Sequence, residues 1–250
     1  MSAAPVEVDP SATPVALVTG AAGGLGTALL AALRRDGFAV VGVDVAPVVG
    51  PCAESHVLDV RDAAGLRALA ADVVERRGRL DAVVAAAAVM GGGTPLWETP
   101  DTVLDELWDV DARGVWNTAV ACVPHLLVSP EPHRARFVAV ASAAGERGMF
   151  GLAAYTAAKH AVVGIVRGLA ADLVGTGAAA VAVSPGAMRT PMLTATAGLY
   201  GVAEAELAAH QGLRRALEPA EVAEVVALCC SPAGAALNGS VVNADGGFGL

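Results

Sequence analysis

Residues 15–26 read Val-Ala-Leu-Val-Thr-Gly-Ala-Ala-Gly-Gly-Leu-Gly, which is an apolar strand followed by a glycine-rich turn and the start of a helix. Glycines in such a turn let the backbone approach a pyrophosphate closely, and the N-terminus of the helix stabilises its charge. A glycine-rich turn alone is equally compatible with a structural loop. Here the strand, the helix and an acidic residue at the end of the next strand favour a dinucleotide site that includes Gly20, Gly23, Gly24, Leu25 and Gly26.

The acidic residue is Asp44, which follows the apolar run Ala39–Val43. A carboxylate at this position accepts hydrogen bonds from both hydroxyls of an adenosine ribose and repels a 2′-phosphate. No Arg or Lys lies in the glycine turn or directly after Asp44, so we expect NAD rather than NADP. The alternative is an ordinary solvated carboxylate at a strand end. Asp59 and Val60 would reach the adenine, although Asp59 could instead cap the next helix, a position that Asp62 suits better.

Apolar runs of strand length alternate with amphipathic stretches along the chain. The strand candidates are Val15–Val18, Ala39–Val43, His56–Leu58, Ala82–Ala86, Phe137–Ala141, Ala179–Val183 and Ser240–Val242. The helix candidates are Leu25–Arg35, Ala63–Arg76, Thr102–Leu127, Ala153–Val174 and Pro219–Cys230. Continuous apolar strands separated by helices predict a parallel sheet with helices on both faces. We therefore predict an α/β, single-domain Rossmann-type, doubly wound fold of about seven strands, with residues 1–13 as a flexible tail, residues 14–250 as the domain and a substrate lid near residues 187–212.

Composition excludes several classes of protein. The 250 residues are 55% hydrophobic and carry a net charge of −9, which argues against a nucleic-acid surface. No apolar run reaches the ~18 residues of a membrane-spanning helix, and the first ten residues lack the features of a secretory signal. The four cysteines and five histidines are scattered without metal-binding spacing, so we expect no metal and a cytoplasmic protein with buried thiols.

A tyrosine and a lysine four residues apart are the main candidates for catalysis. Tyr155 and Lys159 share one face of a predicted helix, and Ser142 lies thirteen residues upstream of Tyr155. A neighbouring ammonium lowers the pKa of a phenol, which then exchanges protons near neutral pH, and Ser142 would polarise the same oxygen. A solvated pair on a helix surface is the alternative for an isolated motif of this kind.

With these residues together, the chain resembles the single-domain short-chain dehydrogenases/reductases over essentially its whole length after residue 13. The matching motifs are Thr19-Gly20-x-x-x-Gly24-x-Gly26, Asp59-Val60, Ser142-Ala-Ala-Gly145, Tyr155-x-x-x-Lys159, Pro185-Gly186 followed by Thr190, and Asn243-Ala-Asp245-Gly246-Gly247. The resemblance implies NAD(P)-dependent hydride transfer, with Tyr155 as general acid/base, Ser142 positioning the substrate oxygen and Lys159 binding the nicotinamide ribose. Thr190 and the backbone near Ala187 and Met188 would hold the carboxamide. Enoyl reductases space their tyrosine and lysine differently.

The chain departs from the family pattern at two positions. The family usually has Asn-Asn-Ala-Gly after the fourth strand, whereas this chain has Ala85-Ala86-Ala87-Ala88. We keep Ala86, Ala87 and Ala88 among the cofactor-binding residues. The family also has a catalytic Asn where this chain has Asp111. That Asn is thought to hold a water that relays protons to the lysine, and we expect Asp111 to keep this role; a surface aspartate on an amphipathic helix is the alternative.

A mostly apolar set of residues would line the substrate site near the carboxyl ends of the strands: Met90, Met149, Phe150, Met192 and Tyr200. Their pattern fits an apolar secondary alcohol or ketone and equally fits core filling. Arg147 and Arg189 are the cations that could clamp a substrate carboxylate.

Two further expectations concern partners, and a third concerns an alternative function. Family resemblance implies a homotetramer in which the helices holding Asp111 and Tyr155 pack across a two-fold interface. The alanine stretch also resembles an actinobacterial branch associated with the redox peptide mycofactocin, which implies tightly held NAD reoxidised by a redox partner. The alternative to an enzyme is a non-catalytic dinucleotide-binding regulator.

Overall fold

Seven parallel strands form one sheet in the computed structural model, which describes residues 13–248. The strands are β1 (Val15–Thr19), β2 (Ala39–Asp44), β3 (Glu54–Val57), β4 (Ala82–Ala85), β5 (Arg136–Val140), β6 (Ala179–Pro185) and β7 (Val241–Ala244). The α-helices are α1 (Gly24–Arg35), α2 (Ala63–Arg77), α3 (Asp101–Leu107), α4 (Gly114–Leu127), α5 (Ala153–Asp172), α6 (Pro191–Tyr200), α7 (Glu204–Ala208) and α8 (Pro219–Cys230). Among these described residues, no helix has the length and apolar character needed to cross a bilayer.

The strand order is β3-β2-β1-β4-β5-β6-β7, so the winding reverses direction between β1 and β4. A crevice opens at such a switch point, beyond the carboxyl ends of the strands, and ligands bind there in open α/β sheets. The turn after β1 and the loop after β4 border this crevice. The doubly wound parallel sheet predicted from the sequence is confirmed.

Residues that alternate along each strand pack on opposite faces. In β1, Val15 and Leu17 join a core with α2, α4 and α5, whereas Ala16 and Val18 join a second core with α1 and α8. The side-chain period of two in a strand makes this division, and the central strands are apolar at most positions because helices cover both faces.

The segment predicted as one long helix, Thr102–Leu127, is interrupted. Residues Trp108–Arg113 form a π-helical turn between α3 and α4. An extra residue in the turn rotates the side chains on either side of it relative to a regular helix, and such turns are frequent at functional sites. Apolar periodicity does not reveal such a turn, because both flanking segments remain amphipathic.

The other predicted segments lie within two residues of the observed ones. Strand β3 begins at Glu54 rather than His56, because its first residues are polar on an edge strand. Of the predicted tail, residues 1–13, all but Thr13 lie outside the described residues. The predicted lid region contains α6 and α7.

Candidate active site

Two adjoining cavities open at the carboxyl edge of the sheet. One has a volume of about 620 Å³ and the other about 530 Å³. Their walls share Ser142, Tyr155, Pro185, Gly186, Met188, Thr190 and Met192. The shared wall places the two cavities side by side.

The larger cavity is lined by every residue that the sequence assigns to cofactor binding. The set comprises Gly20, Gly23, Gly24, Leu25, Gly26, Asp44, Asp59, Val60, Ala86, Ala87, Ala88, Tyr155, Lys159, Pro185, Gly186, Met188 and Thr190. Apart from Tyr155 and Lys159, which lie on α5, these residues come from the ends of five strands or the segments after them, which the parallel sheet brings to one edge.

Close backbone packing explains the glycines of the first turn. Gly20 has a φ of +71°, and a Cβ there would lie 2.7 Å from the Ala86 carbonyl oxygen. A Cβ on Gly26 would lie 2.0 Å from the Gly20 carbonyl oxygen, so any side chain would force the turn open. The turn therefore packs directly against the loop after β4 and leaves its backbone bare on the cavity side.

Asp44 is held by backbone amides at the mouth of the turn. Its Oδ2 accepts a hydrogen bond from the Ala22 amide at 2.9 Å, and its Oδ1 accepts one from the Ala46 amide at 3.0 Å. Both bonds fix the carboxylate at the edge of the larger cavity, where a ribose would approach. The Asp44 carboxylate is therefore held in one orientation by the backbone at the end of β2.

The helix cap, one of the two roles that the sequence allows for Asp59, belongs to Asp62. Asp62 caps α2, since its Oδ1 accepts from the Gly65 amide at 2.9 Å. Asp59 lines the larger cavity and binds Arg61, with 2.6 Å between Asp59 Oδ2 and an Arg61 guanidinium nitrogen. That ion pair holds the pKa of Asp59 below its ordinary value.

Tyr155 and Lys159 lie on the buried face of α5, so the solvated-pair alternative is wrong for this chain. The Lys159 ammonium lies 5.6 Å from the centroid of the Tyr155 ring. Ser142 follows β5, and its Oγ accepts a hydrogen bond from the Ala144 amide at 3.1 Å. This acceptance leaves the Ser142 hydroxyl proton available for another oxygen.

Asp111 lies on the π-helical turn and is 0% exposed, so the surface-aspartate alternative is wrong. Its Oδ1 accepts from the Val89 amide at 2.8 Å, and its Oδ2 lies 3.2 Å from the Lys159 ammonium. Lys159 also donates to the Val140 carbonyl oxygen at 3.3 Å. Asp111 thus joins the loop after β4 to the lysine of α5.

The loop after β4 is braced without the asparagines of the family pattern. The Thr19 hydroxyl oxygen lies 3.2 Å from the Ala86 amide and 3.4 Å from the Ala87 amide, and Asp111 takes the Val89 amide. Backbone amides of this loop are therefore bound by a threonine hydroxyl and a carboxylate from other elements.

The pKa of Tyr155 differs from the sequence-based expectation. Burial raises the pKa of the phenol above its ordinary value, and the Asp111 carboxylate adds to the rise; the Lys159 ammonium and a hydrogen bond with Ser142 only partly oppose it. The Lys159 pKa is raised, because Asp111 and Tyr155 favour the ammonium more than burial disfavours it. The tyrosine-lysine spacing predicts only the contribution of Lys159, which the buried surroundings outweigh.

The smaller cavity is lined by all five predicted substrate-pocket residues, Met90, Met149, Phe150, Met192 and Tyr200. Sequence reasoning missed Glu206, His210 and Phe248, which also line it. Nothing in the local pattern marks these three residues, because packing of α7, the turn after it and the C-terminal segment brings them to the cavity. Neither Arg147 nor Arg189 lines the cavity: Arg147 donates to the Phe248 carbonyl oxygen at 2.7 Å, and Arg189 pairs with Glu218 at 2.8 Å.

Within residues 13–248, no group of three or more His, Cys, Asp or Glu side chains is arranged to hold a metal ion. The residues that line the two cavities therefore define the candidate site: a cradle of glycines, a buried acid–lysine–tyrosine cluster and an apolar pocket.

Comparisons with known proteins agree with this geometry. A family model described as "Enoyl-(Acyl carrier protein) reductase" matches residues 20–249. A monensin polyketide synthase putative ketoacyl reductase from Streptomyces virginiae is 36% identical, with 96% of this chain and 98% of that protein covered. An uncharacterized NAD-dependent oxidoreductase from Mycobacterium tuberculosis is 33% identical, with 93% and 94% covered.

A solved structure of similar fold is the carveol dehydrogenase from Mycobacterium avium in complex with NAD. It has a TM-score of 0.85 and 26% sequence identity, and the match covers 94% of this chain and 96% of that one. The family match over most of the chain, the relatives and the shared sheet lead to one conclusion: this chain is an enzyme of the short-chain dehydrogenase/reductase family.

Proposed function

We propose that the chain is an NAD-dependent oxidoreductase that transfers a hydride between the nicotinamide cofactor and an apolar secondary alcohol or ketone. The observation that carries the proposal is the position of Ser142 and Tyr155, which line both the larger, glycine-lined cavity and the smaller, apolar one. A dinucleotide in the first cavity and an alcohol in the second would therefore meet at these hydroxyl groups.

The residues of the larger cavity fit a nicotinamide dinucleotide. The bare backbone at Gly20 and Gly26, with no room for a Cβ, suits close approach of a pyrophosphate. When bound, the nicotinamide supplies or accepts the hydride. Thr190 lies against this turn, since a Cβ on Gly24 would be 2.8 Å from its Cγ2, and in this proposal it holds the carboxamide.

The side chains of the cluster have separate roles in this proposal. The Ser142 hydroxyl, which is a hydrogen-bond partner of Tyr155, binds and orients the substrate oxygen. Tyr155 as phenolate takes the alcohol proton during oxidation, and as phenol it donates that proton during reduction. Lys159 stabilises the phenolate, and Asp111 holds the lysine and connects it to the loop after β4, where it keeps the proton-relay role of the family Asn.

Asp44 favours NAD over NADP. Its anchored carboxylate would accept both ribose hydroxyls and repel a 2′-phosphate. Arg61, the arginine among the residues that line the same cavity, is paired with Asp59. The NAD named for the M. tuberculosis relative and the M. avium structure supports the same choice.

Two other functions have less support. The description of the matching family model names an enoyl reductase, but the Tyr155-Lys159 spacing and Ser142 are typical of enzymes that act on carbonyl groups. A non-catalytic dinucleotide-binding regulator would have no need for a buried cluster of Ser142, Tyr155, Lys159 and Asp111 beside a cavity of about 530 Å³.

A homo-oligomer, most simply the homotetramer of the family pattern, would cover an apolar stripe on α3 and α4. Leu104, Trp108, Trp116 and Val120 are all exposed along these helices, with Trp116 58% exposed. Light scattering of the parent and of a Trp116→Glu variant tests this arrangement, and a parent that remains monomeric at assay concentrations would count against it.

Tightly held NAD with a redox partner stays a prediction of the sequence resemblance. Release of NAD or NADH from the denatured, purified protein would support it. Free exchange of added NAD, with an empty site after purification, would favour an ordinary dehydrogenase.

Replacement of Tyr155 by Phe tests the proposed function directly. Loss of general acid/base catalysis should lower kcat by about 10²–10⁴-fold, measured by nicotinamide absorbance against apolar secondary alcohols and ketones. NAD affinity, measured by fluorescence titration, should stay within about threefold of the parent value, because the phenolic oxygen acts on the substrate. Equal turnover by parent and variant would overturn the assignment.

A further inference from the structure

The smaller cavity contains a second polar patch, which the proposed chemistry does not use. Glu206 lies on α7 and His210 lies in the turn that follows, and both line the cavity. Residues four positions apart face the same side of a helical turn, so these two side chains form one patch. Neither residue lines the larger cavity.

Both side chains have hydrogen-bonding capacity to spare. Glu206 Oε1 accepts from the Ala203 amide at 3.1 Å and so caps α7, while its Oε2 has no hydrogen-bond donor within residues 13–248. The His210 ring lies against Phe248, with 6.5 Å between the ring centroids, and its nitrogens bond to none of the described residues. One carboxylate oxygen and an imidazole edge are therefore available to a ligand.

The rest of the wall is adaptable and apolar. Met90, Met149, Met188 and Met192 line it, which are all the methionines of the chain apart from Met1. Methionine side chains are flexible and polarisable, and surfaces rich in them accept ligands of varied shape. Shape alone would therefore discriminate weakly among apolar ligands in this cavity.

No cation lines the cavity to compensate an anionic ligand. Its lining contains no Lys or Arg among the described residues. Arg147 donates to the Phe248 carbonyl and lies over the Phe248 ring at 5.8 Å, outside the lining. Glu206 and His210 are both exposed to solvent, and a substrate carboxylate there would lie beside the Glu206 charge with no Lys or Arg of the lining to offset it, which is unfavourable.

We propose that Glu206 and His210 are specificity-determining residues, which select a bulky apolar alcohol or ketone with a remote hydroxyl or amine and exclude one with a remote carboxylate. The amine would bind as an ammonium against Glu206, and the hydroxyl would donate to Glu206 or bond His210. The inference rests on the proposed function only for the identity of the reacting carbon–oxygen group.

The test uses 4-alkylcyclohexanones of equal length that end in methyl, hydroxyl, ammonium or carboxylate. Calorimetry in saturating NAD gives their affinities, and nicotinamide absorbance with NADH gives kcat/KM. The parent protein should bind the ammonium and hydroxyl forms at least about tenfold more tightly than the carboxylate form, the effect of one charged hydrogen bond. Glu206→Gln keeps the cap on α7 and should reduce the ammonium-to-carboxylate ratio by about tenfold.

Glu204→Gln is the matched control. Glu204 lies on the same helix outside the cavity and accepts from the Thr194 hydroxyl, an interaction that Gln retains, so its ratio should equal that of the parent. His210→Phe keeps a ring against Phe248 and should lower the preference for the hydroxyl terminus over the methyl terminus.

The outcomes separate this inference from the proposed function. Equal affinity ratios in the parent and in Glu206→Gln, or no binding of any of the four ketones, would overturn the inference. Discrimination in binding without turnover of any ketone would support it and count against the proposed function. Turnover of the ketones without discrimination among their termini would support the proposed function and overturn the inference.

Discussion

Replacement of Asp111 by Asn should shift the pH dependence of catalysis to lower pH. The carboxylate lies 3.2 Å from the Lys159 ammonium and raises the pKa of Tyr155. Asn has nearly the same shape and removes the charge, while its one carbonyl oxygen can accept either from Lys159 or from the Val89 amide. The ammonium would then act on the phenol without an opposing carboxylate.

The size of the shift follows from the geometry. A unit charge 5.6 Å away, the distance from the Lys159 ammonium to the Tyr155 ring centroid, contributes about 3 kcal/mol at an effective dielectric constant of about 20. This corresponds to roughly two pKa units, and the opposing effect of Asp111 is smaller than that of Lys159. We therefore expect the Tyr155 pKa to fall by about one unit in Asp111→Asn.

The shift should appear in both reaction directions. Oxidation needs the phenolate, so its rate rises with pH up to the Tyr155 pKa, and this rising limb should move about one unit lower in the variant. Reduction needs the phenol, so its rate falls above the same pKa, and the falling limb should move by the same amount. At a given pH on the rising limb, the rate of alcohol oxidation as a fraction of the plateau rate should be about tenfold higher in the variant than in the parent.

The assay is the pH profile of kcat/KM for one alcohol and the corresponding ketone, followed by nicotinamide absorbance. Asp109→Asn is the control, because Asp109 lies on the same π-helical turn but is exposed and paired with Arg113 at 3.0 Å. Its profile should match that of the parent. An unmoved limb in Asp111→Asn, or a move to higher pH through neutralisation of Lys159, would refute the electrostatic reasoning.

Two further predictions concern the cofactor and the buried ion pair. Asp44→Asn should lower kcat/KM for NAD by about 10–100-fold, because it removes charged hydrogen bonds to the ribose, and should raise kcat/KM for NADP. Steady-state kinetics with both cofactors give the ratio of the two kcat/KM values, and an unchanged ratio would contradict the role of Asp44. Lys159→Met should lower the free energy of unfolding by about 3–5 kcal/mol in urea titrations, because it leaves the Asp111 carboxylate buried without its cation. Lys159→Met combined with Asp111→Leu should recover most of that loss, and a double variant no more stable than the single one would contradict this account.

Much of the fold follows from local sequence patterns. The apolar run at Val15–Val18 and its counterparts predict the strands, because a strand buried on both faces must be apolar at nearly every position. The glycines at positions 20 and 26 predict the cofactor turn, because only a residue without a Cβ fits such close backbone packing. The helical repeat predicts that Tyr155 and Lys159 share a face.

The tertiary structure alone decided the electrostatics of the site. The family resemblance predicts that Asp111 acts through Lys159, but only the π-helical turn and the packing of α5 show that it is fully buried against that lysine. Glu206, His210 and Phe248 reach the substrate cavity through the lid and the C-terminal segment. Periodicity reports which side of an element is buried, whereas desolvation and the choice of charged neighbours depend on contacts between elements far apart in the chain. The sequence therefore determined the strands, the cofactor turn and the tyrosine-lysine pair, and the three-dimensional packing decided how acidic the tyrosine is and what lies beside its substrate.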